Sequence, residues 1–485
     1  MISFTSIPIG IRTPGSYIEF DNTRAVRGLP ALSHRILVIG QKTALGTAPV
    51  LTPKRITSVA QAAADYGPGS MLAAMVAAVR AANTYTDCYA IALADNSEGT
   101  AAEGLLAIGG PATAGGTLNL YVAGVRVQVG IAAGQTQGQI ATAIAAAITA
   151  AKVPVNAVAS GANVQLFAQH AGEAGNYIDI RLNYAFGEAT PAGVTVLVAT
   201  PMSGGTGNPD LTALIAAIGD EQYDTIILPY TDASSLAAIE AEMARRWGPM
   251  VQREGHVFAA VSGTVGDATT LGDSRNSPHV TIMHAGKSPT PPWIWAAVTG
   301  AVDAFEPDPA RPRQTLPLPG CLAAKEADRP TREERNTLLG EGIATHTVDA
   351  GGIVRMERLV TTYQETPAGD PDVSYLDIET LRTLAYMRAT TRLRMAAEYP
   401  RHKLADDGTA YAPGQAIVTP QEIRGTLLHL ARDWETAGLL ENFDVFREAL
   451  IVERNATDRN RVDALIPPDV VNQFRVFAAA IQFIL

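Results

Sequence analysis

The residues able to do chemistry are few and scattered. The eight histidines are His34, His170, His256, His279, His284, His346, His402 and His429, with no HExxH or HxH pair among them. His279 and His284 stand five apart on an apolar run that reads as a strand. Alternation sends them to opposite faces, where they cannot share a metal. His402 lies near Asp406-Asp407-Gly408. Those carboxylates could meet a cation, but Asp-Gly is also a turn signal, and the turn is the simpler reading. Cys88 and Cys321 are far apart in sequence and define neither a disulfide framework nor a zinc site. Gly204-Gly205-Thr206-Gly207 follows a strand and precedes a helix, as a phosphate loop would. It lacks both the GK[ST] ending and the GxGxxG spacing, so it reads as a flexible junction. No metal and no cofactor are expected.

Ser70 has a more suggestive setting. Gly69-Ser70-Met71, followed by Ala73, faintly resembles the serine loop of subtilisin-type proteases. That family orders Asp, His and then Ser late in the chain, whereas only His34 precedes Ser70 here and no HGT-type histidine motif occurs. A triad is recognised by geometry, and no catalytic residue is assigned. A second cluster is basic. Arg382, Arg388, Arg392, Arg394, Arg401 and Lys403, set against Asp377, Glu379 and Glu398, make residues 377–403 net positive. Arg388 and Arg392 are one turn apart on one helix face. The cluster reads as a solvated face or, more sharply, as a docking surface for an acidic partner.

Composition bounds the function classes. A chain of 485 residues predicts two to four domains. Hydrophobic residues at 47% suffice for a large core, and 18% charged residues exclude a disordered polyelectrolyte. The net charge of −11 argues against a nucleic-acid binder, which needs a basic face. The first residues lack the basic and apolar regions of a signal peptide. No apolar run approaches ~18 positions, so no direct membrane insertion is expected. Two cysteines suit folding in a reducing cytosol.

The elements follow from periodicity. Arg35-Ile36-Leu37-Val38-Ile39-Gly40 is a continuous apolar run, typical of a strand buried on both faces. Ser58 and Gln61 form a capping box for a helix that Gly67 stops. A second helix starts at Ser70, with Leu72, Met75, Val76 and Val79 on one face. A strand follows over 88–94. Residues 96–206 change character: two runs flank Ala123-Gly124 as a hairpin, further short strands are expected over 164–167, 177–182 and 194–198, and the alanine-rich stretch 140–151 reads as a short surface helix. The α/β pattern resumes with a helix over 211–218, a strand over 225–228 and a helix capped by Asp232 and ended by Gly248-Pro249. Strands over 256–261 and 280–283 and a helix from Pro292 to residue 302 complete it. This alternation predicts a mainly parallel sheet.

Five prolines within 307–319 predict a rigid extended loop. A hairpin over 342–363 turns at Asp349-Ala350-Gly351-Gly352. A long helix is expected over 377–398, and Thr419-Pro420-Gln421-Glu422 starts another. Both ends read as strands without a neighbour to pair with: Ile7, Ile9, Ile11 and Tyr17 alternate at the start, and Phe474, Val476, Phe477, Ile481 and Phe483 make an apolar strand at the end. An uncovered apolar edge is an aggregation hazard, so both arms are expected to pair with neighbouring copies. The expected organisation is an N-terminal arm (1–30), an α/β core in two pieces (31–95 and 207–366), an inserted peripheral β-rich domain (96–206), an α+β C-terminal domain (367–469) and a C-terminal arm (470–485).

Several stretches together carry a family resemblance. Thr13-Pro14-Gly15-Ser16-Tyr17-Ile18-Glu19 looks like the PGVYxE signature of sheath N-terminal arms, with Ser16 in place of Val. Ser70-Met71-Leu72 through Cys88-Tyr89 is similar to the opening of the sheath core, and residues 313–320, 334–339 and 342–345 match its second half. Residues 400–408, 451–455 and 467–476 look like its C-terminal domain. Over nearly the whole length, the chain resembles contractile-tail sheath proteins of myophages, most closely the Mu-like type. The resemblance implies a subtilisin-like α/β core without protease machinery, and helical homopolymers that contract around a tail tube to drive it through the host envelope. It implies partners in other copies of the chain, the tube protein, the baseplate and the tail terminator. It places the protein in the virion, and in the host cytoplasm during assembly. The C-terminal domain would face the tube, making Arg388 and Arg392 candidate tube-facing residues, and the insertion would face outward. The alternative class is an α/β hydrolase-like enzyme of subtilisin-like fold.

Overall fold

The run Arg35–Gln41 forms the strand its continuous apolar character predicts, with Ile36, Leu37, Val38 and Ile39 fully buried. In the computed structural model, which describes residues 33–412 and 414–484, this strand lies inside an eight-stranded sheet. Its strands are β1 (Arg35–Gln41), β2 (Lys54–Ile56), β3 (Asp87–Leu93), β4 (Thr225–Ile227), β5 (His256–Ser262), β6 (Val280–Gly286), β7 (Ile343–Val348) and β8 (Val354–Arg358). Their spatial order is β8-β7-β6-β5-β4-β1-β3-β2. The six inner strands are parallel, and β2 and β8 close the edges antiparallel. The expected arm residues Ile7, Ile9, Ile11 and Tyr17 lie outside the described residues.

Two compact units are distinguished: residues 33–385 with 472–484, and residues 386–471. In the first, helices Met71–Ala82 and Pro292–Phe305 pack on each other and on the sheet. Gly300 permits this approach, since a Cβ there would stand 3.1–3.2 Å from Ile227, Phe258 and Thr225. The Ser58 hydroxyl caps helix Val59–Tyr66 as expected, but the Gln61 side chain accepts from Thr57, one residue before the predicted partner. The proline-rich loop does more than span. Thr315 and Leu318 donate backbone bonds to Met356 and Val354, and Met356 donates back to Leu316, so the loop lies along β8.

Residues 101–203 hold two further sheets. One orders Thr195–Ser203, Ala101–Gly109, Asn163–Ala171 and Val155–Ser160; the other orders Val125–Ile131, Gly116–Val122 and Ile180–Leu182. The predicted hairpin is present, with Ala123 and Gly124 both at positive φ. The alanine-rich helix, Gln137–Ala151, is no mere surface helix: Ile140, Ala141, Ile144 and Ile148 are fully buried, because alanine lets the helix settle close on the strands beneath.

The second unit contains the later part of helix Ile378–Glu398, helices Pro420–Thr436 and Phe443–Ala449, and short strand pairs, including the hairpin Ile451–Arg454 with Val462–Leu465. Thr419 and Glu422 make the predicted capping box. Trp434 is buried and donates its indole N–H to Thr390 Oγ1 at 3.1 Å.

A charged knot sits inside the first unit. Asp303, on helix Pro292–Phe305 and almost wholly buried, accepts from Arg313 Nε at 3.0 Å and Arg382 Nη2 at 2.5 Å. Burial alone would raise its pKa, but the two guanidiniums hold the carboxyl well below the usual range. Arg382 also donates to Thr225 Oγ1 at 2.9 Å, and that hydroxyl meets His34 Nε2, also at 2.9 Å. Replacing Asp303 with Ala leaves two buried arginines without their shared carboxylate. We expect a loss of about 3–5 kcal/mol, read as a lower denaturant midpoint at unchanged slope. Buried histidines give a second expectation. Burial lowers His34 and His284 to about 4 and His346 to about 3, from 6.5. The unfolded chain therefore takes up these protons first as pH falls. The contribution to stability is complete above pH 6.5 and is lost progressively down to about pH 4 to 3. Thermal midpoints recorded between pH 7.5 and 4 should fall along this range, and a flat profile would contradict it.

Candidate functional site

The three residue types of a hydrolase do approach one another. His170, from the strand Asn163–Ala171, meets Asp95 just after β3, with Nδ1 3.0 Å from Asp95 Oδ1. Its Nε2 lies 3.2 Å from the Met71 backbone N–H, beside Ser70. Sequence order gave no reason to expect this, because both partners come after the serine and the histidine comes from the β-rich segment. The geometry is that of a helix cap. Ser70 is fully buried and its Oγ accepts from Ala73 N–H at 3.2 Å. Met71 donates to His170 Nε2, so the lone pair that would take a proton from Ser70 is already engaged. Burial would raise Asp95, but bonds from His170, Ala171 and Gln41 hold its carboxyl below the ordinary value. A charged Asp95 orients the imidazole toward the helix start, where an acceptor is wanted.

The glycine loop is likewise engaged. Gly205 N–H donates to Asn176 Oδ1 at 2.7 Å, and Thr206 N–H donates to the Thr100 carbonyl at 3.1 Å. Thr100 and Thr206 pair as a bridge where the β-rich segment leaves and rejoins the α/β strands. Asp406 accepts from Arg454 at 2.8 Å and Arg459 at 3.0 Å, and Asp407 accepts from the Gln421 amide, so both carboxylates beside His402 already have donors. His279 stacks near Trp247, while the carbonyl of His284 accepts from His346. Among the described residues, no helix is long and apolar enough to cross a membrane.

The basic cluster divides. Arg382 points into the charged knot, and Arg394 bonds Asp433 at 2.7 Å and Glu398 at 3.3 Å. Arg388 and Arg392 are half-buried within the unit 386–471. The residues 377–403 are thus not one continuous basic face.

The C-terminal segment departs from expectation in one respect. Asp469–Val470 pairs antiparallel with Leu440–Glu441, but residues 471–484 form no strand, since an extended segment needs a partner to make a ladder. Phe474, Val476, Phe477, Ile481, Phe483 and Ile484 are 70–99% exposed. Arg475 behaves oppositely. It bonds Glu379 Oε2 at 2.9 Å, Asp377 Oδ1 at 3.0 Å and Gln314 Oε1 at 3.3 Å. Sequence reading missed this residue, although it is the lone charge in an apolar run of sixteen.

Comparison with known proteins agrees on one family. The phage tail sheath protein central domain matches residues 204–362, and the phage tail sheath C-terminal domain matches residues 370–484. The Mu-like prophage FluMu tail sheath protein of Haemophilus influenzae is 42% identical over the full length of both chains. Among solved structures, a chain of the anti-feeding prophage baseplate is similar with a TM-score of 0.50 and 11% identity, covering 98% of this chain and 100% of that one. The sheath tail protein from Desulfitobacterium hafniense aligns with a TM-score of 0.49 and 12% identity, over 94% and 100% of the two chains. On the full-length likeness and the two domain matches, the chain belongs to the phage tail sheath family and is a structural subunit of a contractile tail sheath.

Proposed function

We propose that this subunit polymerises helically around a tail tube through its terminal arms, and that contraction of the polymer drives the tube through the host envelope. The observation that carries this reading is the exposed apolar segment 474–484, which pairs with no strand among the described residues. A lone subunit would expose these side chains and unpaired backbone groups to water. Lending the segment to a second copy turns the liability into a joint made of main-chain hydrogen bonds. Ile7, Ile9, Ile11 and Tyr17 would serve the same purpose at the other end. The tube, baseplate and tail terminator are the further partners, and the protein works in the virion after assembly in the host cytoplasm.

The α/β core over 31–95 and 207–366 is read as a subtilisin-like body stripped of catalysis. Both the buried, capping Ser70 and the engaged His170 support a non-enzymatic role. Residues 96–206 are read as an outward-facing domain. It still serves the core, since His170 caps the helix that begins at Met71. The C-terminal domain over 367–469 is read as the tube-facing part, with Arg388 and Arg392 on that surface.

Removal of residues 470–485 tests the joint. The expected result is a soluble, folded subunit that no longer forms sheath-like polymers under the electron microscope. Misfolding of the truncated chain, or normal polymerisation, would overturn the reading. Charge reversal at Arg388 and Arg392 tests the tube face. Assembly around purified tube should weaken relative to the parent, most at low salt and less at high salt where charges are screened; unchanged tube binding would point to another face.

A further inference from the structure

We propose that Arg475 is the pivot of the C-terminal arm, a positioning residue that fixes where the arm leaves the body and so presents residues 476–484 to a second copy of this chain. The inference rests on the arm reading above and adds a residue and a geometry to it. Three acceptors converge on one guanidinium: Glu379 and Asp377 carboxylates at 2.9 and 3.0 Å, and Gln314 at 3.3 Å. The acceptors are themselves held. Arg358 grips Asp377 with two bonds of 2.9 and 2.8 Å, and the Arg313 amide donates to the other oxygen of Glu379 at 3.0 Å. Gln314 reaches back to the Phe474 carbonyl, and Gln473 to the Ala310 carbonyl, both at 3.4 Å. The root of the arm is therefore fixed by side chains from a loop and from the start of the long helix.

Glu379 is fully buried, and its desolvation raises its pKa against the pull of Arg475. Withdrawing Arg475 would remove the cation that offsets a buried carboxylate, so the root is costly to detach. Immediately beyond it the character changes. Val476, Phe477, Ile481, Phe483 and Ile484 are exposed large apolar side chains. A firmly held residue next to an uncovered apolar stretch makes a pivot: the free part can swing toward a neighbour, while its origin on the body stays put.

The test uses the full chain. Ala479→Cys and Glu333→Cys carry spin labels, with Cys88 and Cys321 buried and unlabelled. In the parent the label-to-label distance distribution should have the spread of a segment swinging about one fixed point; with Arg475→Ala, which frees that point, it should broaden at least twofold. Arg475→Ala should lower the thermal midpoint while leaving the subunit folded at assembly temperature, and reduce polymer yield at least tenfold. Arg475→Lys, which keeps the charge but not the fork, should fall between the two. A chain lacking residues 476–485 but retaining Arg475 separates the claims. If that chain polymerises normally, the arm reading fails and the pivot with it. If it cannot polymerise while Arg475→Ala polymerises like the parent with an unbroadened distribution, the pivot alone fails. If Arg475→Ala melts the body, Arg475 is an ion pair of the fold, and the positioning role is overturned.

Discussion

One buried carboxylate ties together the segments that meet at the amino ends of β1 and β4. Asp303 joins helix Pro292–Phe305 to the proline-rich loop through Arg313 and to the long helix through Arg382. Arg382 carries the link on to Thr225 at the start of β4, and Thr225 to His34 just before β1. Arg313 carries it to Glu379, and Glu379 to the root of the C-terminal segment. Apolar packing could hold these pieces with less desolvation cost, but it tolerates sliding. A bidirectional network of charge-assisted bonds accepts one arrangement. Here it registers four separate chain segments against one sheet.

The apparent active site shows how far residue types can mislead. Ser70, Asp95 and His170 are the right kinds, and they meet, yet each is committed to holding a helix start and a strand end together. A nucleophile must be reachable and its base must have a free lone pair. Burial removes the first condition and the Met71 amide the second.

Much of the fold was legible because its signals are local. Ser58, Ser70, Asp232 and Thr419 each cap the helix they announce. The apolar runs became the inner strands β1, β3, β5 and β6. Two helices that were not foreseen, Val265–Asp273 and Arg332–Gly340, also begin with capping boxes, at Thr264 with Asp267 and Thr331 with Glu334. Their polar sequences bury little, so periodicity was silent where capping was not. Strands Ala101–Gly109 and Val155–Ser160 were missed for another reason: alanine and glycine fill many inward positions and carry weak strand preference. The charged knot and Arg475 could not be read locally at all. Their partners lie up to 191 residues apart in sequence, and only the folded topology brings them together.

The edges of the eight-stranded sheet matter for how force travels. One edge is β2, three residues long and carrying Lys54 and Arg55. The other, β8, is overlaid by the segment Thr315–Leu318, which includes Pro317 and so lacks one of the donors a further strand would use. Neither edge offers a long open ladder. On the proposed arm reading, tension arriving through an arm would have no direct line into the hydrogen bonds of this sheet. It would be borne first by side-chain contacts at the periphery, and the sheet would be carried as a stiff block while the joints bend.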